Sequence, residues 1–368
     1  MRPGANRTPA SEAERARRAR IVRRQRVAAL GLITLAAAAV AVSIVLSSSG
    51  PAVRTQAAPT QAARTRAART RLGAAHDVHA PSSTFAIGVR VFSLVDSSRT
   101  IELPDGRHQP RTLVTYVRYP ALGAATGVDL PNTPAATAAG PFPLVIFGHG
   151  FAVTPALYAR MLQAWTRAGY VVAAPVFPRE NANAPEGPDE SDLVNQPGDM
   201  SFVISRLLAL TRSRSGPLSG LIDPTRIAVT GQSDGGDTAL AVAYNRRYRD
   251  PRVRAAVILS GAEIPGAVGF TFPPGSPPLL AAQGTADTVN PPSATRVFFA
   301  AARRPKYLLT LIGGEHLPPY SDQEPQLAIV DRVTIAFLDD YLKHERDALQ
   351  RLVALGTVPG TAALLADL

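Results

Sequence analysis

Apolar and polar positions divide the chain into three stretches with different patterns. Val27 to Leu46 is uncharged and mostly apolar, with no polar face of any period. Pro51 to Ser83 has no apolar periodicity and is rich in Ala, Thr, Arg and Pro. From Thr84 onward, short apolar runs alternate with longer amphipathic segments. Such an alternation predicts strands interleaved with helices.

Phe85–Val95 and Thr112–Tyr119 are rich in Val, Thr, Tyr and Ile, and a Pro104-Asp105-Gly106 turn separates them. They are expected to form an antiparallel opening pair. Ala121–Gly140 reads as a loop. Continuous apolar runs follow at 142–147, 170–177, 227–230, 255–260, 279–283 and 307–312. A continuous run suits a strand buried on both faces, so these predict a mostly parallel sheet with helices on either side. Helices are expected over 154–168, 199–211, 237–244, 293–302 and 327–342, the first capped by Thr154 with Pro155 at its first position. Residues 181–198 read as loop, and the tail from about Arg346 as a helix with an irregular end.

Charge changes the picture at the N-terminus only. The formal net charge is +11, but nine arginines against two glutamates lie within residues 1–26, and five more arginines lie within 51–71. These two stretches contribute 9 − 2 + 5 = +12, which leaves the remainder at −1. A near-neutral globular part argues against a nucleic-acid-binding domain. Residues 27–46 have the length to cross a hydrocarbon core of about 30 Å, and the arginine block before them predicts a cytoplasmic N-terminus. A single-pass anchor is the favoured reading, with a cleaved export signal as the alternative. Either places the globular part outside the cytoplasmic membrane. The organisation expected is a basic N-terminus (1–26), an anchor or signal segment (27–46), a flexible tether (47–83) and a catalytic domain (84–368). The chain has no cysteine, which excludes disulfides, thiolate metal sites and a cysteine nucleophile. His76 and His79 form an H-x-x-H pair in the tether, but they lack further ligands, and no metal is expected there.

In such a sheet, ligands bind beyond the C-terminal strand ends, so the candidate chemistry belongs there. Gly231-Gln232-Ser233-Asp234-Gly235 is a G-x-S-x-G pattern between an apolar strand and a helix, the setting of a nucleophile elbow. A serine hydroxyl needs a base, usually a histidine oriented by a carboxylate. Of six histidines, only His149 and His316 follow sheet strands. His316 lies in Gly313-Gly314-Glu315-His316 after the 307–312 strand, and Asp287 ends Gly284-Thr285-Ala286-Asp287 after the 279–283 strand. The order Ser233, Asp287, His316 matches one of the known triad orders. Each residue alone has a plainer reading: a turn or cap for Asp287, a surface loop for His316. The backbone N–H groups of Asp234 and Phe151 are the expected oxyanion donors, with Gly150 behind Phe151. His149 is expected to shape its loop rather than act as base, and the Asp234 side chain to cap the elbow helix.

At Gly148-His149-Gly150-Phe151, the Gly231–Gly236 elbow, the Gly284–Asp287 segment and the Gly313–His316 loop, the chain resembles the α/β-hydrolase superfamily. It looks most like dienelactone-hydrolase-like and cutinase-like bacterial esterases, polyester hydrolases included. Asp234 stands where the cutinase-like group commonly has Met, and the cysteine nucleophile of true dienelactone hydrolases is missing. The resemblance covers about residues 84–345 and implies a cofactor-free carboxylic ester hydrolase. Many relatives carry a helical lid between the strands at 255–260 and 279–283. Here that segment is short and rich in Pro and Gly, which implies an open cleft. His149, Gly150, Val289 and Leu317 are expected beside the substrate, with Phe151, Ile264, Phe270 and Phe272 as further apolar lining or, equally, as core. An acyltransferase or peptidase on the same triad, or an exported binding module without turnover, are the alternative functions.

Overall fold

A computed structural model describes residues 85–103, 106–264 and 267–368. The anchor, the tether and the His76/His79 pair lie outside the described residues. One ten-stranded sheet runs through the fold. Its strands are β1 (Ala86–Glu102), β2 (His108–Ala121), β3 (Asp129–Pro131), β4 (Phe142–Gly148), β5 (Val171–Pro175), β6 (Ile222–Gln232), β7 (Val253–Leu259), β8 (Leu279–Gly284), β9 (Lys306–Leu311) and β10 (Ala362–Asp367). The spatial order is β10-β9-β8-β7-β6-β4-β5-β2-β1-β3. From β5 to β9 every neighbouring pair is parallel. β2 joins β5 antiparallel, and β1 pairs antiparallel with β2.

The parallel strands are apolar because water reaches neither face. Every residue of β4, β5 and β8 is buried. β1 instead alternates buried and exposed positions over much of its length, as a half-covered strand does. Helices α1 (Ala159–Arg167), α2 (Gln196–Arg212), α3 (Asp234–Tyr244), α4 (Pro292–Ala301), α5 (Gln326–Leu338) and α6 (Ala348–Gly356) cover the sheet. Residues of α2, α3 and α4 share the main core, which includes Val203, Leu207, Leu240 and Phe298. α1 packs on α5, where Trp165 Nε1 donates to Thr334 Oγ1 at 2.8 Å.

The opening pair is tied to α2 by buried charge. Arg111 on β2, only 1 % exposed, donates to Asp192 (2.8 and 2.5 Å) and to Asp199 (2.7 Å twice). Both carboxylates thus gain bidentate partners in place of the water they lose.

Three local expectations are corrected. The chain end is not irregular: Ala362–Asp367 adds an antiparallel edge strand beside β9. Its half-buried pattern lacks the long apolar run of the central strands, because only one flank and one face are covered. The expected loop at 121–140 contains the three-residue β3, paired with β1. The first helix opens as a 3-10 turn, Pro155–Tyr158, and Thr154 makes no side-chain cap bond. No helix among the described residues is long and apolar enough to cross a membrane.

Candidate active site

The strand β6 ends at Gln232 and α3 begins at Asp234, so Ser233 must turn the chain alone. It does so at φ 55° and ψ −127°, a strained conformation for a residue with a Cβ. The flanking glycines make the turn possible. A Cβ on Gly231 would collide with the Gly235 carbonyl, and a Cβ on Gly235 with that of Gly148. The turn lifts the Ser233 hydroxyl off the end of the sheet, while the residue stays 3 % exposed.

His316 arrives from the loop after β9. Its Nε2 lies 2.9 Å from Ser233 Oγ, and its Nδ1 lies 2.9 Å from Asp287 Oδ2. An ionised carboxylate only accepts, so Nδ1 carries the ring proton and Nε2 is left to accept from the serine. Asp287 comes from the loop after β8 and is held from both sides. Its Oδ1 accepts from the backbone N–H of Val289 and Asn290, each at 2.9 Å, and its Oδ2 from Gln283 Nε2 at 3.1 Å. The structure therefore joins Ser233, His316 and Asp287 in one buried hydrogen-bonded chain.

The Gly148–Phe151 loop lies against the elbow. A Cβ on Gly150 would come within 3.1 Å of the Ser233 Cβ. The Gly150 N–H already donates to Tyr158 Oη (3.3 Å), and the Ala152 N–H to the Glu180 carbonyl (2.9 Å). The Phe151 N–H between them meets no acceptor among the described residues. The Asp234 N–H sits at the first position of α3, where a helix leaves its amides without internal partners.

Four expectations change here. His149 is 0 % exposed, and protein groups occupy both ring nitrogens. Nε2 accepts the Phe177 N–H at 3.0 Å, so Nδ1 carries the proton and donates to the Gly150 carbonyl at 2.8 Å. Burial lowers its pKa to about 4. His149 thus braces the loop and does not reach substrate. Gly150 has spent its amide on Tyr158, and it serves by letting the loop close on the serine. The Asp234 side chain does not cap α3: its buried Oδ2 accepts from no backbone N–H. Finally, Phe270 and Phe272 stack with each other, Phe272 on Tyr244 and Phe270 against Phe298, so both belong to the core. Ile264 likewise packs on Leu193, Ala241 and Val268. Val289 and Leu317 stand in sequence close to Asp287 and His316 and are nearly buried.

Sequence reasoning missed a second chain of bonds. The Gly150 N–H donates to Tyr158, so the Tyr158 hydroxyl must pass its proton on, to Gln232 Oε1 at 2.7 Å. That fixes the amide orientation of Gln232, whose Nε2 donates to the His316 carbonyl at 2.9 Å. The variable position of G-x-S-x-G thus ties the Gly150 loop to the His316 loop. Gln232 was visible in the pattern, but Tyr158 carried no signal. Among the described residues no group of three or more His, Cys, Asp or Glu could hold a metal ion.

Residues 130–259 match the family model described as Chlorophyllase. The match ends with β7, so it includes the elbow but neither Asp287 nor His316. No curated protein matches the sequence. Among solved structures, a ferulic acid esterase from Streptomyces cinnamoneus is similar at TM-score 0.53 and 22% identity, over 73% of this chain and 93% of that one. With a mostly parallel sheet, a strained serine turn after β6 and candidate loops after β4, β8 and β9, the chain has the α/β-hydrolase fold.

Proposed function

We propose that this protein is a serine esterase that cleaves carboxylic esters through Ser233, His316 and Asp287. The observation that carries the reading is the pair of 2.9 Å contacts joining the three side chains at the C-terminal strand ends. His316 Nε2 takes the Ser233 proton as Oγ attacks the ester carbonyl. Asp287 keeps the ring in the needed tautomer and stabilises the imidazolium. The N–H groups of Phe151 and Asp234 face the oxyanion as charge develops. His316 then returns its proton to the leaving alcohol, and a water activated by the same ring frees the acyl group. The chlorophyllase-family match and the esterase neighbour support ester chemistry. The absence of any helix in the described residues between β7 and β8 supports an open cleft.

The test is covalent labelling by a fluorophosphonate, run beside turnover of p-nitrophenyl esters of increasing acyl length. Wild-type protein is expected to label and turn over, and folded Ser233→Ala to do neither. A Ser233→Ala protein with full turnover would sink the mechanism.

We also propose that residues 27–46 hold the enzyme at the outer face of the cytoplasmic membrane. Their uncharged, mostly apolar length behind an arginine block supports this. In intact spheroplasts the catalytic domain is expected to be digested by added protease, and full protection would reverse the topology.

A further inference from the structure

Glu180 lies in the loop after β5 and is 0 % exposed. Neither of its carboxyl oxygens has a hydrogen-bond donor, and Asp234 Oδ2 has none either. The two carboxyl groups are nevertheless within hydrogen-bonding reach of each other. Two ionised carboxylates buried side by side without protein donors would repel strongly. One proton between them turns that repulsion into a bond, because a protonated carboxyl donates and an ionised one accepts.

Glu180 is the member that keeps the proton. Burial, then the charge and hydrogen bond of Asp234, then the charges of Asp192 and Glu190 push its carboxyl well above the usual range. The charges that act on it most are acidic. Asp192 is itself neutralised by Arg111, and from the 3-10 turn Tyr158 senses the Asp234 charge. Glu180 also reaches the other side of the site, since its backbone carbonyl accepts the Ala152 N–H. One residue thus grips the chain at both candidate oxyanion donors: next to Phe151 through its backbone, and at Asp234 through its side chain.

We propose that Glu180, its buried carboxyl against that of Asp234 and its carbonyl on the Ala152 N–H, is a positioning residue that sets the Asp234 amide behind the nucleophile. This rests on the reading of Ser233 as nucleophile. The bond needs a neutral donor, so Gln should replace Glu180 and an apolar side chain should not.

The experiment uses the full chain as wild type, Glu180→Gln and Glu180→Met. Infrared difference spectra at pH 8 are expected to show a protonated-carboxyl C=O stretch in wild type that disappears in Glu180→Gln. Glu180→Gln should keep kcat within about threefold, while Glu180→Met loses about ten- to a hundredfold in kcat at unchanged KM. Three results would overturn the proposal: no such band in wild type, a Glu180→Gln as impaired as Glu180→Met, or activation of chelator-treated wild type by Ca²⁺, which would assign the pair to a cation. If Glu180→Met does not fold, the band and Glu180→Gln still decide. A wild-type protein that shows the band but is not labelled by a fluorophosphonate would instead refute the nucleophile.

Discussion

His149 and His316 occupy equivalent places, each just past the C-terminal end of a parallel strand, and their surroundings give them opposite chemistry. His316 offers one nitrogen to a carboxylate and the other to a serine hydroxyl at 2.9 Å, with the Gln232 amide farther off at 3.3 Å from that same nitrogen. His149 has both nitrogens on backbone groups, a carbonyl on one side and an N–H on the other. A carboxylate partner can stabilise a ring that gains a proton. A backbone N–H pointing at Nε2 forbids that proton. What sets a histidine up as base is therefore the pair of groups its two nitrogens face, and place in the fold does not decide it.

The comparison breaks most sharply at the level of rate. His316→Ala is expected to lower kcat by about 10⁴-fold or more while the protein stays folded. His149→Ala should act through stability: it leaves the Phe177 N–H and the Gly150 carbonyl without partners and opens a cavity, at about 3–5 kcal/mol. Chemical denaturation and ester kinetics on the same samples separate the two.

Acid sharpens the difference. The folded pKa of His149, about 4, lies below the ordinary value of 6.5, so the unfolded chain binds the proton more readily. Its contribution to stability is complete above pH 6.5, is lost as the pH falls toward 4, and is flat below that. The full loss is about 3 kcal/mol at 1.36 kcal/mol per pH unit. The stability gap between wild type and His149→Ala should shrink by about that amount between pH 7.5 and pH 4. An unchanged gap would mean that His149 takes up its proton in the fold as readily as in the unfolded chain.

The smallest effect is expected at the bridge between the two loops. Tyr158→Phe removes the hydroxyl joining Gly150 to Gln232 and leaves both facing a gap. A loss of about tenfold in kcat with little change in KM is expected, since the loops would lose register and not chemistry. A change in KM alone would place Tyr158 in substrate binding instead.

The central strands were legible because a strand buried on both faces must be apolar at every position, and β4, β5 and β8 are. β10 was not, because an edge strand needs only a few apolar positions, and its partner, β9, lies some fifty residues back along the chain. Ser233, His316 and Asp287 could be named as candidates because each sits in a short glycine-bearing segment after an apolar run. The partners that orient them left no such trace. Tyr158 lies in a turn after β4, and Glu180 reads as one acid among several in a polar loop.

By itself the sequence determined the alternation of strand and helix, the direction of the central strands and the three side chains beyond their ends. Those features follow from local periodicity and from the need of a tight serine turn for flanking glycines. Only the tertiary structure decided which groups face each other across that end of the sheet: which histidine meets the serine, which amide is left without an acceptor, and which two buried acids meet. Hydrogen-bond partners and burial are set by segments far apart in the chain, and no local pattern encodes them.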